Sequence, residues 1–193
     1  MNLIPRLEWN DQIVSATRTA TDPVLASIAS TTNISVGMIA SGTGIPIGAT
    51  VISKTVNSVT LSVAASLSGT SNVTFFKRFD FQYPPIDDTE EVLKPKNNVS
   101  TSLTGKQQVS TLHVEATRGL EFGFVNSTDA DILKNDFYAF ALYGNEFRYF
   151  PDQDETPFVN YEMERYEYKR DRQIKKHPAF LYKMSFLFRR VYI

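Results

Sequence analysis

The sequence predicts a mainly β protein: a β-barrel or sandwich host domain carrying one packed α-helix, interrupted by a small inserted all-β domain. Three observations predict it. Between Asp22 and Phe76 the chain almost stops using charge, with only Asp22 at the edge and Lys54 in the middle. On both sides of that stretch, acidic, basic and aromatic residues mix, and several segments alternate apolar with polar at the period of a half-buried strand. Only one segment, at about residues 128–143, carries the helical period.

Within the low-charge stretch, Ile34–Val36, Thr50–Ser53, Val59–Val63 and Asn72–Phe76 are rich in β-branched residues. SGTGIPIG, VNS and SLSGTS separate them. β-branched side chains suit a pleated surface, and Gly, Asn and Pro supply the turns. The expected insert is residues 19–76, an Ig-like or hairpin-rich domain. At about 55 residues such a unit buries little and leans on its host or a neighbour.

The expected host is residues 1–18 with 77–193. Leu3–Trp9 and Phe79–Tyr83 flank the insert as strand candidates, so Trp9 and Phe79 are expected in one interrupted domain. Val99–Leu103, Gln108–Thr117 and Leu120–Val125 follow. In the last, Leu120, Phe122 and Phe124 share a face and Glu121 takes the other. Ser127 or Thr128 can cap a helix whose stripe is Leu133, Phe137, Phe140 and Ala141, with Gly144 placed to end it. Tyr143–Phe150 returns to an extended pattern. Phe158–Tyr168 and Leu181–Tyr192 alternate, with Tyr182, Met184, Phe186 and Phe188 on one side.

The chain has 193 residues, 42% hydrophobic and 21% charged, which supports a buried core and argues against global disorder. A net charge of -1 gives no general attraction to nucleic acid or membrane. No cysteine is present, which excludes disulfides and thiolate chemistry. MNLIPRLEWND shows no secretory signal, and no window is apolar enough to span a bilayer. The expectation is a soluble protein made in the cytoplasm, without membrane insertion.

The search for chemistry yields no catalytic, cofactor or metal residue to nominate. Gly42–Gly48 (GTGIPIG) misses the dinucleotide spacing and the P-loop Lys-Ser/Thr, so it reads as a turn between strands. His113 and His177 are the only histidines, and neither has a nucleophile or ligand set beside it in sequence. Asp87-Asp88, Glu90-Glu91 and Asp152-Gln153-Asp154-Glu155 read as solvated loops, and the last lacks the features of a calcium loop. An enzyme is not expected.

What remains is a candidate interface. Tyr161, Arg165, Tyr166 and Tyr168 fall in one strand with several glutamates. One face of that strand must stay outside the core, which suits a polar subunit contact. Lys169, Arg170, Arg172, Lys175 and Lys176 form the densest basic run, suited to an acidic protein or to nucleic acid.

Several host strings resemble a family. Leu7-Glu8-Trp9, Phe79-Asp80-Phe81-Gln82-Tyr83-Pro84-Pro85, Gly105-Lys106-Gln107-Gln108 and Glu115-Ala116-Thr117-Arg118 occur in that order. Tyr143–Asp152 (YGNEFRYFPD) and the closing Tyr182–Val191 strand with Phe-Arg-Arg follow. Together they resemble tailed-bacteriophage distal tail or baseplate hub proteins, with the insert separating the first two. SVGMIASGTGIPIGATVIS and SGTSNVTF are in turn similar to small β modules of phage tail and fibre proteins. The resemblance implies a tail-tube-like fold and a structural virion protein made in the host cytoplasm. It also implies a ring of copies, usually six, whose channel passes DNA without specific binding, and contacts to other tail or baseplate proteins. Two alternatives stay open: a head-to-tail connector or tail terminator, and a carbohydrate-binding module for the host surface.

Overall fold

The computed structural model describes residues 4–102, 104–154, 157–171 and 181–190. It is mainly β, as expected. The chain divides into two compact units: Leu7–Phe79, and Met1–Arg6 together with Asp80–Ile193. Sequence placed the boundaries at 18/19 and 76/77; the compact small unit also takes in Leu7, Trp9 and Phe79. Its hydrophobic core is narrower and draws on Ala16 to Phe75, with Val14 packed against it.

The small unit holds β1 (Arg6–Arg18), β2 (Val24–Ala26), β3 (Ile39–Ser41), β4 (Val51–Lys54), β5 (Val59–Leu61) and β6 (Gly69–Asp80). Pairing runs β1-β2-β5-β4, and β1 also pairs with β6, which pairs with β3. The bridge Ile39↔Thr50 joins β3 to the start of β4. Ala40 N–H donates to Ala49 O, and Val51 N–H to Met38 O, both at 2.8 Å. The pairings thus form a barrel-like circuit, which explains how strands of three or four residues persist. Leu25, Ile28, Met38, Val59, Val73 and Phe75 fill its interior.

Ile34–Val36 is not a strand. Ile34 N–H donates to Thr31 O and Met38 N–H to Ser35 O, two successive turns. The cause is Lys54, whose ammonium donates to the carbonyls of Thr31 (2.8 Å), Thr32 (3.3 Å) and Ile34 (2.5 Å). The only lysine in the low-charge stretch therefore fixes a turn. Lys54→Met keeps the stem and leaves these carbonyls without their charged donor. Hydrogen bonds to a charged group contribute about 1.5–3 kcal/mol. The expected result is a loss in that range in urea unfolding, with the melted segment at 31–34 seen by hydrogen exchange.

The large unit is one antiparallel sheet in the order β9-β10-β11-β8-β7. Its strands are β7 (Asp87–Thr101), β8 (Gln107–Val125), β9 (Phe147–Phe150), β10 (Val159–Asp171) and β11 (Leu181–Arg190). Among the described residues these five strands close no barrel on themselves, and β7 pairs only with β8. Two strand candidates read separately at 108–117 and 120–125 are one strand of 19 residues. Arg118-Gly119 looked like a break, yet it pairs through, with Gly119 opposite both Thr89 and Leu187.

One sheet face is covered. The helical segment α1 (Ser127–Ile132), a π-helical turn (Leu133–Tyr138) and α2 (Ala139–Ala141) buries Ala130, Leu133, Phe137 and Ala141. After Leu133 these residues recur every four positions, which drifts around an α-helix. The wider π turn offsets that drift and keeps them on one face. The cap is Asn126 rather than Ser127 or Thr128. Its side chain accepts from Asp129 N–H at 2.9 Å, and its amide donates to the Asp129 carboxylate at 2.7 Å. Gly144, at φ 72°, ends the helix as expected.

Beneath the helix lies a continuous aromatic core. Phe137 meets Phe147 edge-on at 4.9 Å, and Phe147 meets Phe188 at 4.8 Å. Phe188 also contacts Tyr149, Tyr161 and Phe186. Phe81 stacks on Phe122 at 4.0 Å. The alternation read for β11 holds: Met184, Phe186 and Phe188 are buried.

Candidate assembly interface

β10 carries the candidate interface, and a bulge decides what it shows. Met163 pairs with Phe188 and Arg165 with Leu187, so Glu164 is the extra residue. Strict alternation would put Tyr161 on the face opposite Tyr166 and Tyr168. The bulge reverses parity, and Tyr166 and Tyr168 pair with the core-facing Phe186 and Met184. Tyr161 is fully buried. Tyr166 is half-buried and stacks on helical Tyr138 at 4.4 Å. Tyr161 and Tyr166 therefore serve the core and the helix contact rather than an outer tyrosine face. Arg165 does point outward, 4 Å or less from the Glu167 carboxylate (3.8 Å). Tyr168, Lys169 and Arg170 lie at the end of β10, opposite Met184, Lys183 and Tyr182. Arg172, Lys175 and Lys176 lie outside the described residues.

The uncovered face of the sheet is polar and laced with ion pairs. Arg189 pairs with Glu162, and Lys183 with Glu121 at 2.5 Å. The hydrogen bond that Arg189 donates to Glu162 raises the Arg189 pKa against the effect of partial burial. A shallow hollow of about 330 Å³ crosses β7, β8, β11 and β10 here. Asp87, Thr89, Glu121, Arg165, Glu167 and Ser185 line it, and Gly119 leaves room at its floor. These groups give the hollow a polar lining. Among the described residues, no three His, Cys or acidic side chains are arranged to hold a metal ion.

Near the same strands, Arg118 donates to Asp88 from Nε (2.9 Å) and Nη2 (2.6 Å). Its guanidinium lies 5.0 Å from the centre of the Tyr149 ring. Burial opposes the Arg118 charge, but the Asp88 hydrogen bonds and Tyr149 outweigh it and raise its pKa. Burial also pushes the Tyr149 hydroxyl well above the ordinary tyrosine value, with Arg118 partly opposing. Below about pH 10, the ordinary tyrosine value, Tyr149 holds its proton in both folded and unfolded chains. Above it the unfolded chain loses the proton first, so stability falls as pH rises. Urea titrations across alkaline pH should show that fall, and Tyr149→Phe should flatten it.

Sequence reading did not find the feature with most exposed backbone. β11 pairs with β8 only from Thr117 to Val125. The remainder of β8 pairs with β7 alone, through Val92↔Thr117 to Thr101↔Gln107. This two-stranded arm turns at 102–106, where Ser102 N–H donates to Lys106 O and Gly105 sits at φ 80°. Val99 and Val109 face each other across it, 54% and 60% exposed. Leu93 is exposed too. A lone two-stranded ribbon is marginal in water. Asp87-Asp88 and Glu90-Glu91, read as loops, belong to β7: Asp87 and Asp88 pair with Glu121 and Leu120, and the strand continues past a register shift at Glu90-Glu91. The signal available was the length of the polar-alternating run from 87 to 117.

The sheet also offers two long edges. Among the described residues β7 pairs only with β8, and β9 covers β10 only over Val159–Tyr161. Past Tyr161, no described strand pairs with β10 on that side.

Other sequence candidates fall away as sites. GTGIPIG is two successive turns between β3 and β4, with Gly44 and Gly48 at positive φ. His113 sits on β8 opposite Lys96, and His177 lies outside the described residues. Asp152 caps a turn through Asp154 N–H. Phe75 and Phe76, the only aromatics of the insert, are buried and offer no platform to a sugar. No helix of the described residues is long and apolar enough to cross a membrane. No protein-family model matches the chain, and no curated protein matches it.

Proposed function

We propose that this chain is a structural virion protein of a tailed bacteriophage, a ring-forming distal tail or baseplate hub component. The observation that carries the reading is a pair of long strands, β7 and the part of β10 past Tyr161, that no described strand pairs on their outer sides. Such edges pair with other chains unless blocked. Joining β7 of one copy to β10 of the next is a heterologous contact, and repeating it closes a ring when the rotation allows. Strand direction fits: alternation along β10-β11-β8-β7 makes the new contact antiparallel as well.

The charges along the two strands support the same alignment. β7 reads acidic at Asp87-Asp88 and Glu90-Glu91, then basic at Lys94 and Lys96. β10 reads acidic at Glu162 and Glu164, then basic at Lys169 and Arg170. Antiparallel, each acidic part meets a basic part, which sets register and partner choice. Apart from Leu7-Glu8-Trp9 and Phe79, the ordered strings that resemble hub proteins lie in this same unit, and the arm supplies a further surface for the neighbouring copy. The ring, six-fold by resemblance, would leave a channel for DNA. The small unit would contact other tail or baseplate proteins.

The position is tested on particles. Antibody labelling of intact phage should mark the tip of the tail; labelling at the neck would move the protein to the connector class. Absence from purified particles would end the reading.

A further inference from the structure

The small unit contains a buried arginine with almost no partners. Arg18 closes β1 and is only 5% exposed. Its Nη1 donates to Ser71 Oγ at 2.7 Å. Its Nε is buried without a hydrogen-bond partner. Guanidinium carries five N–H donors and a permanent charge. Among the described residues no carboxylate pairs with it. Asp22, the only acid of the low-charge stretch, accepts from Val24 N–H instead. A buried charge with one neutral partner is costly, and such groups in native proteins carry an explanation.

The surroundings suggest one. Two glycines at positive φ flank the Nε/Nη2 edge, the two-donor side of the fork. A side-chain carbon at Gly44 would come within 3.0 Å of Nε and 2.8 Å of the Leu67 side chain. At Gly69 it would meet only Nη2, at 3.6 Å. Gly44 therefore lets the backbone close over one end, and exposed Gly69 leaves the other end reachable. Beside it, Ser71 sits on Nη1 at 2.7 Å. It is a neutral hydroxyl next to a fixed cation.

We infer that Arg18, entered past Gly69, is a binding site for one oxyanion group, a carboxylate or a phosphate. The group would take Nη2 and the hydroxyl of Ser71, and supply the missing negative charge. This inference stands apart from the assembly reading, since it uses only the small unit.

The test uses the full chain labelled with 15N at arginine and backbone. Sodium acetate and sodium phosphate are titrated separately against sodium chloride at equal ionic strength. A saturable shift of the Arg18 Nε–H signal and of the Gly69 amide, absent with chloride, is expected. Saturation by acetate alone identifies a carboxylate site, and by phosphate alone a phosphate site. Arg18→Gln should abolish the saturable Gly69 shift, and Ser71→Ala should weaken it at least threefold. Should Arg18→Gln fail to fold, the wild-type titration and Ser71→Ala decide. Linear shifts equal to those with chloride, or saturation unchanged in the variants, would overturn the site.

Discussion

Replacing Phe188 with alanine should destabilise the large unit by about 3–5 kcal/mol, the usual cost of emptying a buried aromatic site. Phe188 is fully buried at the junction of four rings: Phe147, Tyr149, Tyr161 and Phe186. Those rings come from β9, β10 and β11, so little backbone can collapse into the space. Its neighbour Leu187 lies on the polar face, and Leu187→Ala should cost about 1 kcal/mol or less. Urea unfolding followed by aromatic circular dichroism reads both. Equal losses for the two variants would mean that β11 faces the other way. Because the small unit has a separate core, its own amide protection should change little in Phe188→Ala.

The second large effect concerns assembly. Reversing Lys94 and Lys96 together to glutamate should weaken each contact between copies by about 1–2 kcal/mol, since like charges would then face across it. Over a closed ring that loss multiplies, and the rings should fall apart at working concentrations. Adding Glu164→Lys should restore part of the contact, and raised salt should reduce both effects. Sedimentation across salt concentrations reads the outcome. Unchanged assembly in the double variant would remove the β7–β10 pairing.

The fold was legible where pattern and burial agree. Met184, Phe186 and Phe188 alternate in sequence and alternate in burial, because β11 is regular over that stretch. The helix stripe was legible too, since Leu133, Phe137 and Ala141 share a face whether the turn is α or π. The cap was not, because Asn126, Ser127 and Thr128 are all able caps and only the reciprocal bond with Asp129 selects the first. The tyrosines of β10 misled for a different reason. One bulge residue, Glu164, moves Tyr166 to the side of Tyr161, and no local composition marks it. Ile34–Val36 had the strand propensity, but Lys54 reaches its carbonyls from twenty residues away. Long-range partners of that kind override local preference. Gly119, set in an otherwise strong strand, split β8 into two on paper. In the sheet it lies between Thr89 and Leu187, where the ladder continues and the missing side chain opens the polar hollow.

The mass and symmetry of the purified protein test the ring most directly. Light scattering after size exclusion, with negative-stain class averages of the same fraction, should show closed rings of six copies with a central channel. A monomer that persists at high protein concentration and low salt, with no ring in the images, would contradict it.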